Sequence, residues 1–193
     1  MSALAGPLHL VALVLVVSGA QKVARPAPAA QAMVAAGLPL PARLHAGIGI
    51  ALGIAEAATG LTVFAAPHPA TAAWLGVAYL ALAGFVLVLR RRDATAGCGC
   101  FGAATTPPST THVVLNVAAA AVALAAAATG VPDVVEVLDE GAGVAVPYTA
   151  LVALGAGLVL LAPTLLAGIE QAVRGDDVPA FGLRRPGTPG APR

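Results

Sequence analysis

A chain of 193 residues that is 59% hydrophobic and only 10% charged is not a water-soluble domain, in which about a quarter of the positions carry charge. Its formal net charge of +1 offers nothing to nucleic acid, and the sequence holds neither a phosphate-cradling glycine loop nor an aromatic-basic patch. Composition leaves an all-α integral membrane protein, long enough for several spanning helices and with little over for a separate soluble domain.

The first apolar run extends from Leu4 to Ala20 and closes on Gln21 and Lys22, whose long side chains can reach the interface, so it reads as span one. Ser18 and Ala20 would also suit a signal-peptide cleavage site, but no Lys or Arg precedes the run, which favours a retained span. From Val23 to Arg43 the chain is punctuated by Pro26, Pro28, Pro39 and Pro41, a connector whose weakly polar piece around Gln31 to Gly37 suits an interfacial helix. Span two is expected from about Leu44 to Ala66, with Glu56 near its middle. A lone carboxylate at that depth costs about 3 kcal/mol, so Glu56 should face the protein interior. There it can be a proton relay, a hydrogen-bond partner for a redox site, or a protonated structural carboxyl between helices.

Pro67, His68 and Pro69 make a tight turn, and span three follows from Ala70 to Leu89, with Trp74 as an interfacial aromatic and Arg90, Arg91 and Arg92 as its stop. A polar, glycine-rich loop runs from Asp93 to Thr111. Proline followed by Ser/Thr at its end signals a helix start, so span four should begin between Ser109 and His112 and continue to about Val131. His112 and Asn116, four apart, share a face of its first turns. The acidic stretch Pro132 to Gly143 reads as a solvated loop with room for one helical turn. Span five is expected from about Val146 to Ile169 with a kink at Pro163, and the Arg-, Pro- and Gly-containing tail after it is expected to be disordered. Five spans put all ten basic residues on one side, which the positive-inside rule makes cytoplasmic. The expectation is a multi-pass protein of the cell membrane with its N-terminus outside and its C-terminus in the cytoplasm.

Both cysteines of the chain lie in Gly97-Cys98-Gly99-Cys100-Phe101-Gly102, within the loop between spans three and four. A disulfide ring with one intervening residue needs a sharp backbone bend, which Gly99 permits, and a strained bridge is easily reduced. The charge pattern places the pair near the cytoplasmic interface, where static disulfides do not normally persist, so transient redox use fits better. Three arginines and the amino end of span four favour a thiolate, and His112 can exchange the proton.

The Cys-Gly-Cys-Phe-Gly block, together with Ser18-Gly19-Ala20-Gln21-Lys22 at the end of span one, Glu56 in span two and Asn116 in span four, resembles the MauE family. MauE proteins are membrane proteins of methylamine utilisation, related to the DoxX-like group. The resemblance covers about Leu8 to Val131 and implies a four-helix membrane unit over residues 1–131 with a redox loop at 93–111. An acidic external loop at 132–145, an additional span at 146–170 and a cytoplasmic tail at 171–193 complete the chain. The resemblance further implies a role in forming or handling disulfides during maturation of the methylamine dehydrogenase small subunit, alongside a thioredoxin-like partner or an exported disulfide-containing substrate. Two departures bear on the methylamine link: Leu115 stands where family members often carry Arg, and the fifth span and basic tail are additions.

The expected chemistry is thiol-disulfide exchange at the membrane. A thiolate at Cys98 or Cys100 attacks a partner disulfide, the other cysteine resolves the mixed disulfide, and a second partner or a quinone resets the pair. Lys22, Glu56, Gly99, His112 and Asn116 are the candidate supporting residues. A Zn or Cu(I) site on Cys98, Cys100 and His112 is the rival of another class, but it lacks a fourth ligand nearby, so no metal is assigned. A small transporter or scaffold with incidental cysteines, with Glu56 lining a path, is the third reading.

Overall fold

The computed structural model describes residues 3–39, 41–92 and 108–174. Seven α-helices and no strand are found among them: α1 (Ala5–Ala24), α2 (Ala27–Ala35), α3 (His45–Ala65), α4 (Pro69–Arg91), α5 (Thr110–Thr129), α6 (Val134–Asp139) and α7 (Ala142–Arg174), with a 3-10 turn at Ala42–Leu44 leading into α3. Five segments are long and apolar enough to cross a membrane, in α1, α3 with its leading turn, α4, α5 and α7. The protein is an all-α, multi-pass membrane helix bundle. The loop holding Cys98, Gly99 and Cys100 and the tail after Arg174 lie outside the described residues.

Local chemistry sets the helix starts. His68 caps α4, its Nδ1 accepting from the Ala70 backbone N–H (3.2 Å) while Thr71 Oγ1 accepts from the His68 N–H (3.1 Å), and Pro69 occupies the first helical position. Asp133 caps α6 reciprocally with Glu136, at 2.8 and 3.2 Å. The acidic stretch therefore contains a real helix, and α7 begins at Ala142, four residues before the start expected from hydropathy. α7 continues across Pro163 to Arg174.

The two closest pairings are α1 with α3 and α4 with α5. Between α1 and α3 the backbones themselves nearly touch. A Cβ built on Gly19 would sit 2.4 Å from the Gly53 carbonyl oxygen, one on Gly53 would sit 2.6 Å from the Gly19 carbonyl, and one on Gly60 would sit 2.5 Å from that of Ala12. Small residues at this spacing let membrane helices approach where lipid offers no hydrophobic driving force between them. Between α4 and α5 the alanines Ala119, Ala120, Ala123 and Ala126 are buried, packed with Leu75 and Tyr79 of α4 and Leu8, Val11 and Leu15 of α1 in one core. Tyr79 Oη donates to the Val11 carbonyl at 2.6 Å, tying α4 to α1.

α1 is the central helix and α7 the peripheral one: half of the apolar window of α1 is buried, against 17% for α7. α7 leaves Leu151, Leu154, Leu158, Leu161 and Leu165 exposed, as suits a lipid-facing stripe. It docks through Tyr148, whose hydroxyl hydrogen-bonds His9 Nδ1 of α1, and the His9 ring also meets Phe64 edge-on with centroids 5.4 Å apart. Tyr148→Phe should lower stability by about 1 kcal/mol, the net worth of one buried hydrogen bond, and thermal unfolding of the detergent-purified protein would show it as a reduced midpoint.

Candidate functional site

Ser18, Gly19 and Lys22 fall on one stripe of α1, and Gly53, Glu56 and Gly60 on one stripe of α3. Because the glycines bring the two backbones together, the polar residues beside them are forced into contact. Lys22 Nζ donates to Glu56 Oε2 at 2.6 Å and to Ser18 Oγ at 2.7 Å, and Ser18 Oγ donates to the same Oε2 at 3.3 Å. Lys22 is 4% exposed and Glu56 7%, so this is a buried ion pair in a low-dielectric setting. Glu56 thus faces the protein interior, and its partner there is Lys22. The other carboxylate oxygen, Oε1, is buried with no hydrogen-bond partner among the described residues, as is Gln21 Oε1.

Lys22 and Glu56 line a cavity of about 370 Å³ walled by α1, α2, α3 and α4. The rest of its lining is almost wholly apolar, with Met33 from α2 and Phe85 and Trp74 from α4. Trp74 is 61% exposed on the lipid-facing side. At the far end of α4 from Trp74, Gly37, at φ +90°, follows α2 where the guanidinium of Arg92, the residue after α4, packs over it: a Cβ there would lie 2.3 Å from an Arg92 nitrogen. The last turn of α1, the end of α2 and the end of α4 therefore gather at one end of the bundle.

His112 and Asn116 form a second buried cluster, at the start of α5. His112 Nδ1 accepts from the Ser109 N–H at 3.3 Å and lies 2.7 Å from Ser109 Oγ, while its own backbone N–H donates to that oxygen at 3.4 Å. Asn116 Nδ2 donates to the His112 carbonyl at 2.7 Å, leaving its Oδ1 buried and without a partner among the described residues. One side of the His112 ring is thereby committed to the cap of α5. The sequence-derived candidates thus fall into two groups. Lys22 with Glu56 borders the cavity, His112 with Asn116 does not, and Cys98, Gly99 and Cys100 lie outside the described residues.

The model of the family described as methylamine utilisation protein MauE matches residues 2–131. The chain belongs to the MauE family. No curated protein and no solved structure matches it. The MauE region takes in α1 to α5, both buried polar clusters, the cavity and the cysteine loop, whereas α6 and α7 lie beyond it. Ser18 was legible in the sequence as part of a motif and as a small residue near the end of span one, not as a partner of Lys22 and Glu56, and the His9–Tyr148 contact not at all. The signal for the latter was a histidine inside an apolar run, which in a membrane helix asks for a polar partner.

Proposed function

We propose that this MauE-family membrane protein carries out thiol-disulfide exchange through Cys98 and Cys100, for the maturation of exported disulfide-containing proteins. The observation that carries the reading is that both cysteines of the chain stand one glycine apart in the segment joining α4 to α5, inside the MauE-matching region. Support comes from the flanks: Arg92 packs against Gly37 on one side, and the Ser109–His112 cap anchors the other. Exchange needs no bound cofactor. A thiolate of the pair attacks one sulfur of a partner disulfide, forming a mixed disulfide and releasing the other partner sulfur as thiolate. The second cysteine then displaces the first partner sulfur, leaving a Cys98–Cys100 disulfide and a partner dithiol. The reverse sequence oxidises the partner, and the relative potentials set the direction.

The partner is a thioredoxin-like protein or an exported substrate; because the positive-inside pattern puts the pair at the cytoplasmic face with the N-terminus outside, an exported substrate is served through a cytoplasmic electron donor. The test is alkylation of native vesicles after redox buffering, combined with Cys98→Ser and Cys100→Ser strains. The wild-type pair should cycle between free and joined states, and one of the single variants should accumulate a mixed disulfide. A pair locked in one state under every redox buffer, or full function in the doubly substituted protein, would refute the exchange reading. Labelling of intact cells by a membrane-impermeant thiol reagent would refute the cytoplasmic placement.

A further inference from the structure

The cavity between α1, α2, α3 and α4 combines features that a passive lipid groove does not need. Its walls are apolar, yet a buried ion pair stands in them, and Oε1 of Glu56 has no hydrogen-bond partner among the described residues. A buried acceptor in that state is unfavourable unless a donor arrives. An acyl chain brings none, and the phosphate of a lipid headgroup would be repelled by the carboxylate. Along α4 the lining reaches from Trp74 to Phe85, eleven residues or about 16 Å, so the space is long and flanked by two aromatic rings. Its volume lies in the range of sites that hold a flat ring with a short tail.

We infer that this cavity seats the ring of an isoprenoid quinone, with the tail leaving past Trp74 toward the bilayer. In the quinol form a ring hydroxyl donates to Glu56 Oε1, filling the vacant acceptor. Phe85 offers a face for the ring, and Trp74, about 16 Å along α4, flanks the tail. Resting on the exchange reading above, the bound quinone is the oxidant of the cysteine pair. Two electrons and two protons pass from the Cys98–Cys100 dithiol to the quinone, the S–S bond forms, and quinol leaves.

Trp74 is the single tryptophan of the chain, so intrinsic fluorescence reports directly on this cavity. The experiment titrates decyl-ubiquinone into the purified full-length protein in nanodiscs. Saturable quenching is expected, abolished by Ala78→Phe, which fills the cavity, and weakened about tenfold by Lys22→Met/Glu56→Met, which removes the polar partner and keeps the packing. Decanol should not displace the quinone. Quenching that only rises in proportion to quinone in the bilayer, that is unchanged in both variants, or that decanol competes away equally would overturn the assignment. The Cys98→Ser/Cys100→Ser protein should bind as the wild type does. Binding without thiol cycling would sink the exchange reading alone, and cycling without binding would sink the quinone site alone.

Discussion

Lys22→Met should destabilise the protein by about 3–5 kcal/mol, whereas Lys22→Met/Glu56→Met should cost far less than that single change. The single substitution leaves Glu56, 7% exposed, without the cation 2.6 Å away, and its Oε1 already lacks a partner among the described residues. Its remaining neighbour in the pair is the Ser18 hydroxyl at 3.3 Å, which cannot replace a full charge. The carboxylate must then take up a proton or draw water into the seam. The double substitution removes the anion as well, and two methionines keep much of the volume in a soft, adaptable form. A thermal-unfolding cycle over wild type, both single variants and the double would measure the coupling. Additive losses would mean that the contact contributes nothing as a pair.

Gly19→Ala should be damaging out of proportion to one methyl group, by about 1–3 kcal/mol, because no soft neighbour can yield. The added Cβ would meet the Gly53 carbonyl oxygen at 2.4 Å and the Ala57 backbone nitrogen at 2.6 Å. Only parting of α1 and α3 relieves this, and parting them also lengthens the Lys22–Glu56 contact one turn away. Gly84→Ala supplies the comparison, since nothing lies within 4 Å of the Cβ there and alanine is the better helix former. Unfolding midpoints should fall for the first and hold or rise for the second. Equal midpoints would show that the α1–α3 approach is looser than these distances require.

How much of this was readable beforehand depends on the range of the physics involved. The five spans follow from runs of apolar residues, and the starts of α4 and α5 from Pro69 and Ser109, each a matter of a few neighbouring positions. The Lys22–Glu56 pairing is different in kind. Both residues stood out singly as polar groups in costly places, but they are 34 positions apart, and their meeting depends on Gly19 facing Gly53. The spacing of Gly49, Gly53 and Gly60 along one side of α3 was the available sign of a close partner, without saying which helix would supply it. The cavity was hidden for the same reason, since four helices contribute to its wall and no single stretch encodes it. His9 and Tyr148, 139 positions apart, had only their polarity to announce them.

The glycine seam also dictates which parts of the bundle can shift independently. Helices whose main chains abut have no intervening side chains to re-rotamerise, so α1 and α3 travel as one slab, with α4 and α5 as another. The void opens in the cleft where α1 and α3 face α4, and the Tyr79 phenol ties the two slabs together at Val11, away from the void's own lining. Widening the void for a larger guest means shifting one slab against the other, and the Tyr79–Val11 bond resists that shift.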